Sequence, residues 1–234
     1  MRKIKTAIIS VSDKNKLKII LTVLNKFKIK IISSGGTYKK IKKLGYKCYK
    51  LSNFTNSPEI LEGRVKTLHP KIHAGILNKR NNKSHKKQMK LNNYENIDLV
   101  IVNFYPFEKT LSKTKNQKIV IENIDIGGPA LVRAAAKNYN DVAVIANVEQ
   151  YIELIKELHK NKGSTSLEFR KKLAEDAFRH TAYYDSSVTN YFSSKSKNKF
   201  PEKKIVTGNL IEKLRYGENP HQDAAIYSFD KSLN

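Results

Sequence analysis

The segment Asp98-Leu99-Val100-Ile101-Val102-Asn103 constrains the fold more than any other part of this 234-residue chain. Four aliphatic residues in succession leave no polar face for solvent, so the strand they predict must be covered on both sides. Strands of a parallel sheet meet that condition when helices lie on both faces, and the rest of the chain supplies helices. Residues 6–12 read as a second buried strand. Asp13 then stands at a position suited to an N-cap, and Leu17, Ile20, Leu21 and Leu24 mark one helical face. Residues 29–33 and 142–146 predict further strands, and helices are expected over 129–138 and 148–160. This alternation predicts an α/β fold built on a doubly wound parallel sheet, with ligands bound beyond the carboxyl ends of the strands.

Past residue 150 the pattern becomes mostly helical. Across 166–192, Leu167, Phe169, Leu173, Ala177, Phe178 and Ala182 recur at helical spacing and are expected to face a core. Residues 193–204 read as a polar linker. The expected organisation is a sheet domain over 1–147, a helical extension and linker over 148–204, and a further segment over 205–234.

Charge limits the choice of partner. Lys and Arg outnumber Asp and Glu by 45 to 21, a formal charge of +24. The lysines are scattered, Trp is absent and Arg is sparse, which fits an AT-rich coding sequence better than a dedicated nucleic-acid-binding stripe. The lysine-rich stretch 79–90 reads as solvated surface. A positive field still speeds capture of an anionic ligand. No apolar run is long enough to cross a bilayer, the first ten residues do not form a secretory leader, and a lone cysteine, Cys48, cannot form an intrachain disulfide. A cytoplasmic protein is expected, with no membrane or nucleic-acid partner.

Five segments carry candidate chemistry. Ser34-Gly35-Gly36-Thr37 falls between a strand and a helix, where glycines let backbone N–H groups approach an anion; it reads equally well as a tight turn. Ser10-Val11-Ser12-Asp13-Lys14 ends a strand, and Lys14 can meet a phosphate or be a solvated lysine after a helix cap. In Gly63-Arg64-Val65-Lys66-Thr67-Leu68-His69-Pro70, an extended backbone would point Arg64 and Lys66 the same way, which is costly without an anion between them. In Glu122-Asn123-Ile124-Asp125-Ile126-Gly127-Gly128-Pro129, Asp125 can cap the following helix, act as a base or hold a substrate amide. Arg133 and Lys137 share a face of that helix, and Lys137 is a candidate acid or base. In Asn103-Phe104-Tyr105-Pro106-Phe107, Asn103 can bond a substrate edge, and Tyr105 can stack or donate its hydroxyl. His69 and His73 are four apart, but Pro70 and the lack of a following glutamate argue against a metal pair. His180 reads as a buried histidine and Cys48 as structural.

Together, and in this order, these segments resemble the bifunctional AICAR transformylase/IMP cyclohydrolase family, a resemblance extended by Arg-Ala-Ala-Ala-Lys-Asn (133–138), Phe-Arg-His-Thr-Ala (178–182) and Leu-Arg-Tyr-Gly-Glu-Asn-Pro-His-Gln (214–222). The resemblance implies a methylglyoxal-synthase-like domain carrying a cyclohydrolase site. By analogy, nucleotide binding falls on Ser12, Asp13, Lys14, Ser34, Gly35, Gly36, Thr37, Arg64, Val65, Lys66, Thr67, Val102, Asn103, Asp125 and Ile126. It gives Lys137 a proton-transfer role, sets Tyr105 and Lys66 at the reacting centre, and assigns Arg215 and Tyr216 to the start of a second, transformylase site. The family's transformylase uses 10-formyltetrahydrofolate, whereas the cyclohydrolase is expected to need no cofactor or metal. A homodimer is implied.

The reaction so implied closes the purine ring of a formylated aminoimidazole carboxamide ribonucleotide to give IMP and water. Because this chain ends soon after Gln222, the transformylase activity is not expected from it. Three alternatives remain open at this stage: a methylglyoxal-synthase-type lyase, a basic nucleotide- or RNA-binding module, and a decayed fragment.

Overall fold

A computed structural model describes residues 1–198 and 200–229. In chain order the elements are β1 (Arg2–Lys3), β2 (Thr6–Val11), α1 (Leu17–Lys26), β3 (Lys30–Ser33), α2 (Gly35–Lys43), β4 (Tyr49–Lys50), α3 (Leu51–Thr55), α4 (Pro70–Leu77), α5 (Lys83–Leu91), β5 (Leu99–Asn103), α6 (Phe107–Lys113), α7 (Gln117–Glu122), α8 (Gly127–Lys137), β6 (Ala143–Ile145), α9 (Tyr151–Lys160), β7 (Ser164–Thr165), α10 (Leu167–Ser193), β8 (Asn209–Leu214) and β9 (Ala224–Ser228). They fall into two compact units, divided within α10 between Thr181 and Ala182.

The first unit holds a five-stranded sheet in the order β4-β3-β2-β5-β6, with every pairing parallel. The chain winds outward from β2 through β3 to β4, then crosses to β5 and β6, the doubly wound α/β arrangement expected. Leu99, Val100, Ile101 and Val102 are all at most 1% exposed, as a strand sandwiched by helices requires. On α1, Leu17, Ile20, Leu21 and Leu24 form the buried stripe. On α8, Leu131, Val132, Ala134, Ala135 and Ala136 do so. Register aligns Val11 with Asn103 and Ile9 with Ser33, so the carboxyl ends of β2, β3 and β5 open on one rim. The strand order reverses there, which in such sheets leaves a crevice.

The opposite pole carries a cluster of ionic groups. Asp98 Oδ2 accepts the Lys5 and Thr6 N–H groups at 2.9 and 3.1 Å, and Arg80 lies 3.7 Å from Oδ1. Asp141 accepts the Arg80 N–H at 3.0 Å and pairs with Arg2 at 2.5 Å.

Two local expectations are corrected. The first helix begins at Leu17 rather than after an Asp13 cap: Lys16 adopts φ 55° at its start, and Asp13 Oδ1 instead accepts the Asn15 N–H at 2.8 Å in a tight turn. On α10, Leu173 and Ala177 are buried, but Leu167, Phe178 and Ala182 are exposed. The buried line runs through Arg170, Leu173, Ala174, Ala177 and Thr181. Arg170 sits in it because its guanidinium donates to the Tyr139, Asn140 and Thr165 carbonyls at 2.6–3.0 Å, which offsets its desolvation.

The second unit contains the end of α10 and the antiparallel hairpin β8–β9, with an irregularity between Leu210 and Glu212. Its turn is closed by the Gly217 N–H donating to the Gln222 carbonyl at 2.7 Å. Lys199 of the expected linker and residues 230–234 of the expected 205–234 segment lie outside the described residues. Among the described residues, no helix is long and apolar enough to cross a membrane.

Candidate active site

A cavity of about 590 Å³ occupies the rim where the sheet order reverses. Three strand ends and two loops build it: Ser10, Ser12 and Lys14 at the end of β2 and just past it, Ser34, Gly36 and Thr37 after β3, Val102, Asn103 and Tyr105 at the end of β5 and just past it, then Arg64, Lys66 and Thr67, and finally Asp125, Ile126, Gly127 and Gly128.

The β3 wall is the start of α2. Ser34 is extended (φ −131°) and Gly35 turns into the left-handed region at φ +53°, a conformation that favours glycine. The first backbone N–H groups of α2 lack helical acceptors, and they open beside two cations. A Cβ built on Gly35 would come 3.5 Å from Lys66 Nζ, and one on Gly36 would come 3.9 Å from Lys14 Cε. Two lysine side chains beside a helix N-terminus give this corner the charge and donors to hold an anion. Thr37 fixes this corner to the sheet: its buried hydroxyl donates to the Val11 carbonyl at 3.0 Å and accepts the Val11 N–H at 3.1 Å.

The β5 wall is organised by Asn103. Its Oδ1 accepts the Ser12 and Asp13 N–H groups at 2.7 and 2.9 Å, and its Nδ2 donates to the Asp13 carbonyl at 2.9 Å. Most of this amide therefore holds the loop that presents Lys14, rather than being free for a substrate edge.

Asp125 closes the far side. Its carboxylate accepts the Gly128 N–H at 2.8 Å and a backbone hydrogen bond from Tyr105, joining the start of α8 to the end of β5. Burial pushes its carboxyl above the usual range; the Gly128 and Tyr105 N–H groups and the Lys66 cation pull the other way. Gly128 is needed for this contact, since a Cβ there would lie 2.5 Å from Asp125 Oδ2.

Arg64 and Lys66 converge on the cavity, but not from an extended strand. Leu61, Glu62 and Gly63 all take positive φ, and residues 64–67 continue as turns. Arg64 is ion-paired with Glu122 at the end of α7, and both residues line the cavity. His73 makes a hydrogen bond with the Thr67 backbone, and His69 Nδ1 accepts the Lys71 N–H at 3.1 Å as the cap of α4, so both rings serve this loop and its helix.

Four expected site residues are not on the cavity wall. Asp13 turns its carboxylate to Asn15, Gly35 contributes backbone conformation only, and Val65 lines a separate cleft of about 50 Å³ with Leu68 and His69. Lys137 also lies off the wall. It is exposed in the last turn of α8, whose first residue, Gly127, is the one at the cavity. Ten residues of helix place its backbone about 15 Å away. Arg215 and Tyr216 belong to the second unit, after β8, and are exposed. Conversely, Glu62 and Ile121 line the cavity without having been singled out, and Ser10 does so having been named only within its segment. Glu122 was legible only as a member of its motif. Elsewhere, His180 packs against Phe104 with ring centroids 4.8 Å apart, and burial raises the Cys48 thiol to about 11.

Comparisons with known proteins agree with this architecture. Residues 18–130 match the MGS-like domain, and residues 135–234 match the AICARFT/IMPCHase bienzyme. The chain is 46% identical over 227 residues to the bifunctional purine biosynthesis protein PurH of Bradyrhizobium diazoefficiens, covering 97% of this chain and 43% of that protein. It is 49% identical over 225 residues to PurH of Persephonella marina, covering 95% and 44%. It thus spans less than half the length of these relatives. The crystal structure of ForH superposes with a TM-score of 0.72 at 31% identity, covering 81% of this chain and 99% of that one. With two consecutive matches that leave few residues unclaimed, and relatives that share nearly half its sequence, the chain belongs to the bifunctional PurH (AICARFT/IMPCHase) family of purine biosynthesis.

Proposed function

We propose that the chain is an IMP cyclohydrolase that closes the purine ring of 5-formamidoimidazole-4-carboxamide ribonucleotide. The observation that carries this reading is the single cavity holding an anion corner, formed by Lys14 and the start of α2, and a buried carboxylate, Asp125, with the Lys66 ammonium acting on that carboxylate. Its volume suits a mononucleotide.

In this reading the 5′-phosphate is anchored on Ser34, Gly36, Thr37 and Lys14, remote from the bond that forms. Nucleophile and electrophile are already tethered in one substrate, so the cavity's main task is to hold the formyl rotamer facing the carboxamide nitrogen. That nitrogen attacks the formyl carbon, a C–N bond forms, and the formyl oxygen gains negative charge, which the Lys66 ammonium stabilises. Asp125 takes the proton lost by the amide nitrogen and returns it to that oxygen as a general acid–base group. The resulting hydroxyl leaves as water with the proton of the former formamide nitrogen, giving IMP. Tyr105 borders the reacting groups. No metal or redox step enters. The proton transfer expected of Lys137 falls here to Asp125 and Lys66.

The test is a spectrophotometric assay of the purified chain with the formylated nucleotide, following IMP. Turnover that falls about 100-fold or more in Lys66→Ala and Asp125→Asn, and much less in Lys137→Ala, supports the reading. If no IMP forms, or if Lys137→Ala is the most damaging of the three, the reading is wrong.

A further inference from the structure

A second cavity, about 660 Å³, lies at the other pole of the sheet, beside the amino ends of β2 and β5. Six cationic residues line it, Arg2, Lys3, Lys5, Arg80, Lys86 and Lys90, against three carboxylates, Glu95, Asp98 and Asp141. The carboxylates are already committed. Asp98 holds the Lys5 and Thr6 N–H groups and faces Arg80, Asp141 pairs with Arg2, and Glu95 pairs with Lys30 at 2.7 Å. Among the described residues, Lys5, Lys86 and Lys90 have no carboxylate partner, and Lys3 meets only the Lys162 carbonyl and the Phe27 ring.

Lys86 and Lys90 are one helical turn apart on α5, a helix with no acidic residue. Like charges at that spacing cost helix stability. Here they line a hollow together with Lys5 rather than spreading over a convex surface, so their fields add inside it. A compact polyanion relieves this repulsion. Tyr94 lines the same hollow and offers an aromatic face, and Asn78, Asn96 and Thr6 supply neutral polar groups.

We propose that this cavity binds a nucleoside triphosphate, with the polyphosphate chain among Lys5, Lys86 and Lys90 and the base against Tyr94. The site is separate from the ring-closing cavity, and the proposal does not depend on the function assigned there. A bounded hollow of this size suits one nucleotide better than a nucleic-acid strand, which needs a continuous track.

The test titrates the full chain, in the presence of excess IMP to occupy the ring-closing cavity, with a fluorescent N-methylanthraniloyl ATP at physiological salt, using ATP, inorganic tripolyphosphate and a 20-nucleotide RNA as competitors. Lys86→Ala/Lys90→Ala keeps a good helix former at both positions and is expected to weaken ATP by about tenfold or more, while Lys14→Ala/Lys66→Ala leaves it unchanged. ATP should displace the probe better than tripolyphosphate does. The site assignment is overturned if the probe does not bind, if only Lys14→Ala/Lys66→Ala weakens it, or if RNA displaces it where ATP cannot. Equal displacement by tripolyphosphate overturns the nucleoside part.

Discussion

Replacing Asn103 by Ala tests whether the cavity works through a positioned loop. The change deletes three hydrogen bonds to Ser12 and Asp13, at 2.7, 2.9 and 2.9 Å, and adds none. The bonds to Asp13 are open to solvent and that to Ser12 is only partly shielded, so the freed backbone groups can rebond to water. The expected loss of fold stability is therefore small, about 1–2 kcal/mol, or roughly 3–6 °C in melting temperature. Nucleotide binding should suffer as much or more. Without the amide, the ligand itself must order residues 12 and 13, at about 1 kcal/mol or more for each backbone position. A total near 2 kcal/mol weakens IMP about 30-fold. Isothermal titration with IMP reads this directly. Asn103 acts by holding the segment that carries Lys14, so Asn103→Ala/Lys14→Ala should bind IMP only slightly less well than Lys14→Ala alone. Strictly additive losses, or unchanged IMP affinity beside a lowered melting temperature, would refute the reasoning.

Gly128→Ala places a methyl 2.5 Å from Asp125 Oδ2; turnover should drop by about 100-fold while IMP affinity changes less, measured as kcat against Kd. Asp125→Asn should raise the melting temperature at pH 7 while abolishing turnover. Burial raises the Asp125 carboxyl, so the folded state keeps a proton that the unfolded state has released, and stability falls as pH rises above the ordinary aspartate value of about 3.9. The variant's advantage should therefore shrink in melts run from pH 7 down toward pH 4, and an advantage that grows on acidification would contradict the assignment. Glu122→Gln breaks the ion pair that holds Arg64. Both side chains are exposed, so the melting temperature should not move, but the freed guanidinium should tighten IMP about two- to fivefold, with the gain shrinking in high salt.

The parts of the molecule legible in sequence are those governed by local pattern. The continuous apolar strands 6–12 and 98–103 could only be central strands, and the glycine pair after β3 could only open a helix or a turn. Three things resisted. The loop carrying Arg64 and Lys66 is shaped by successive positive φ values at Leu61 and Glu62, which neither residue's propensity favours, so an extended reading of 64–67 failed. The direction of α8 is a tertiary property: spacing puts Lys137 on a face with Arg133 but does not say which end of the helix meets the cavity. Asn103 has the chemistry of a ligand contact, yet its partners lie some 90 residues earlier in the chain and appear only once β2 and β5 pair.

The aperture between the Ser12 loop and the start of α2 is gauged by one hydroxyl, that of Thr37, clasping both backbone groups of Val11. Valine at that position would keep the shape and lose the clasp; alanine would lose both. Because the gauge is interior and uncharged, salt and pH leave its length alone. An exterior crowded with lysine can thus vary from one surface position to the next without altering that opening.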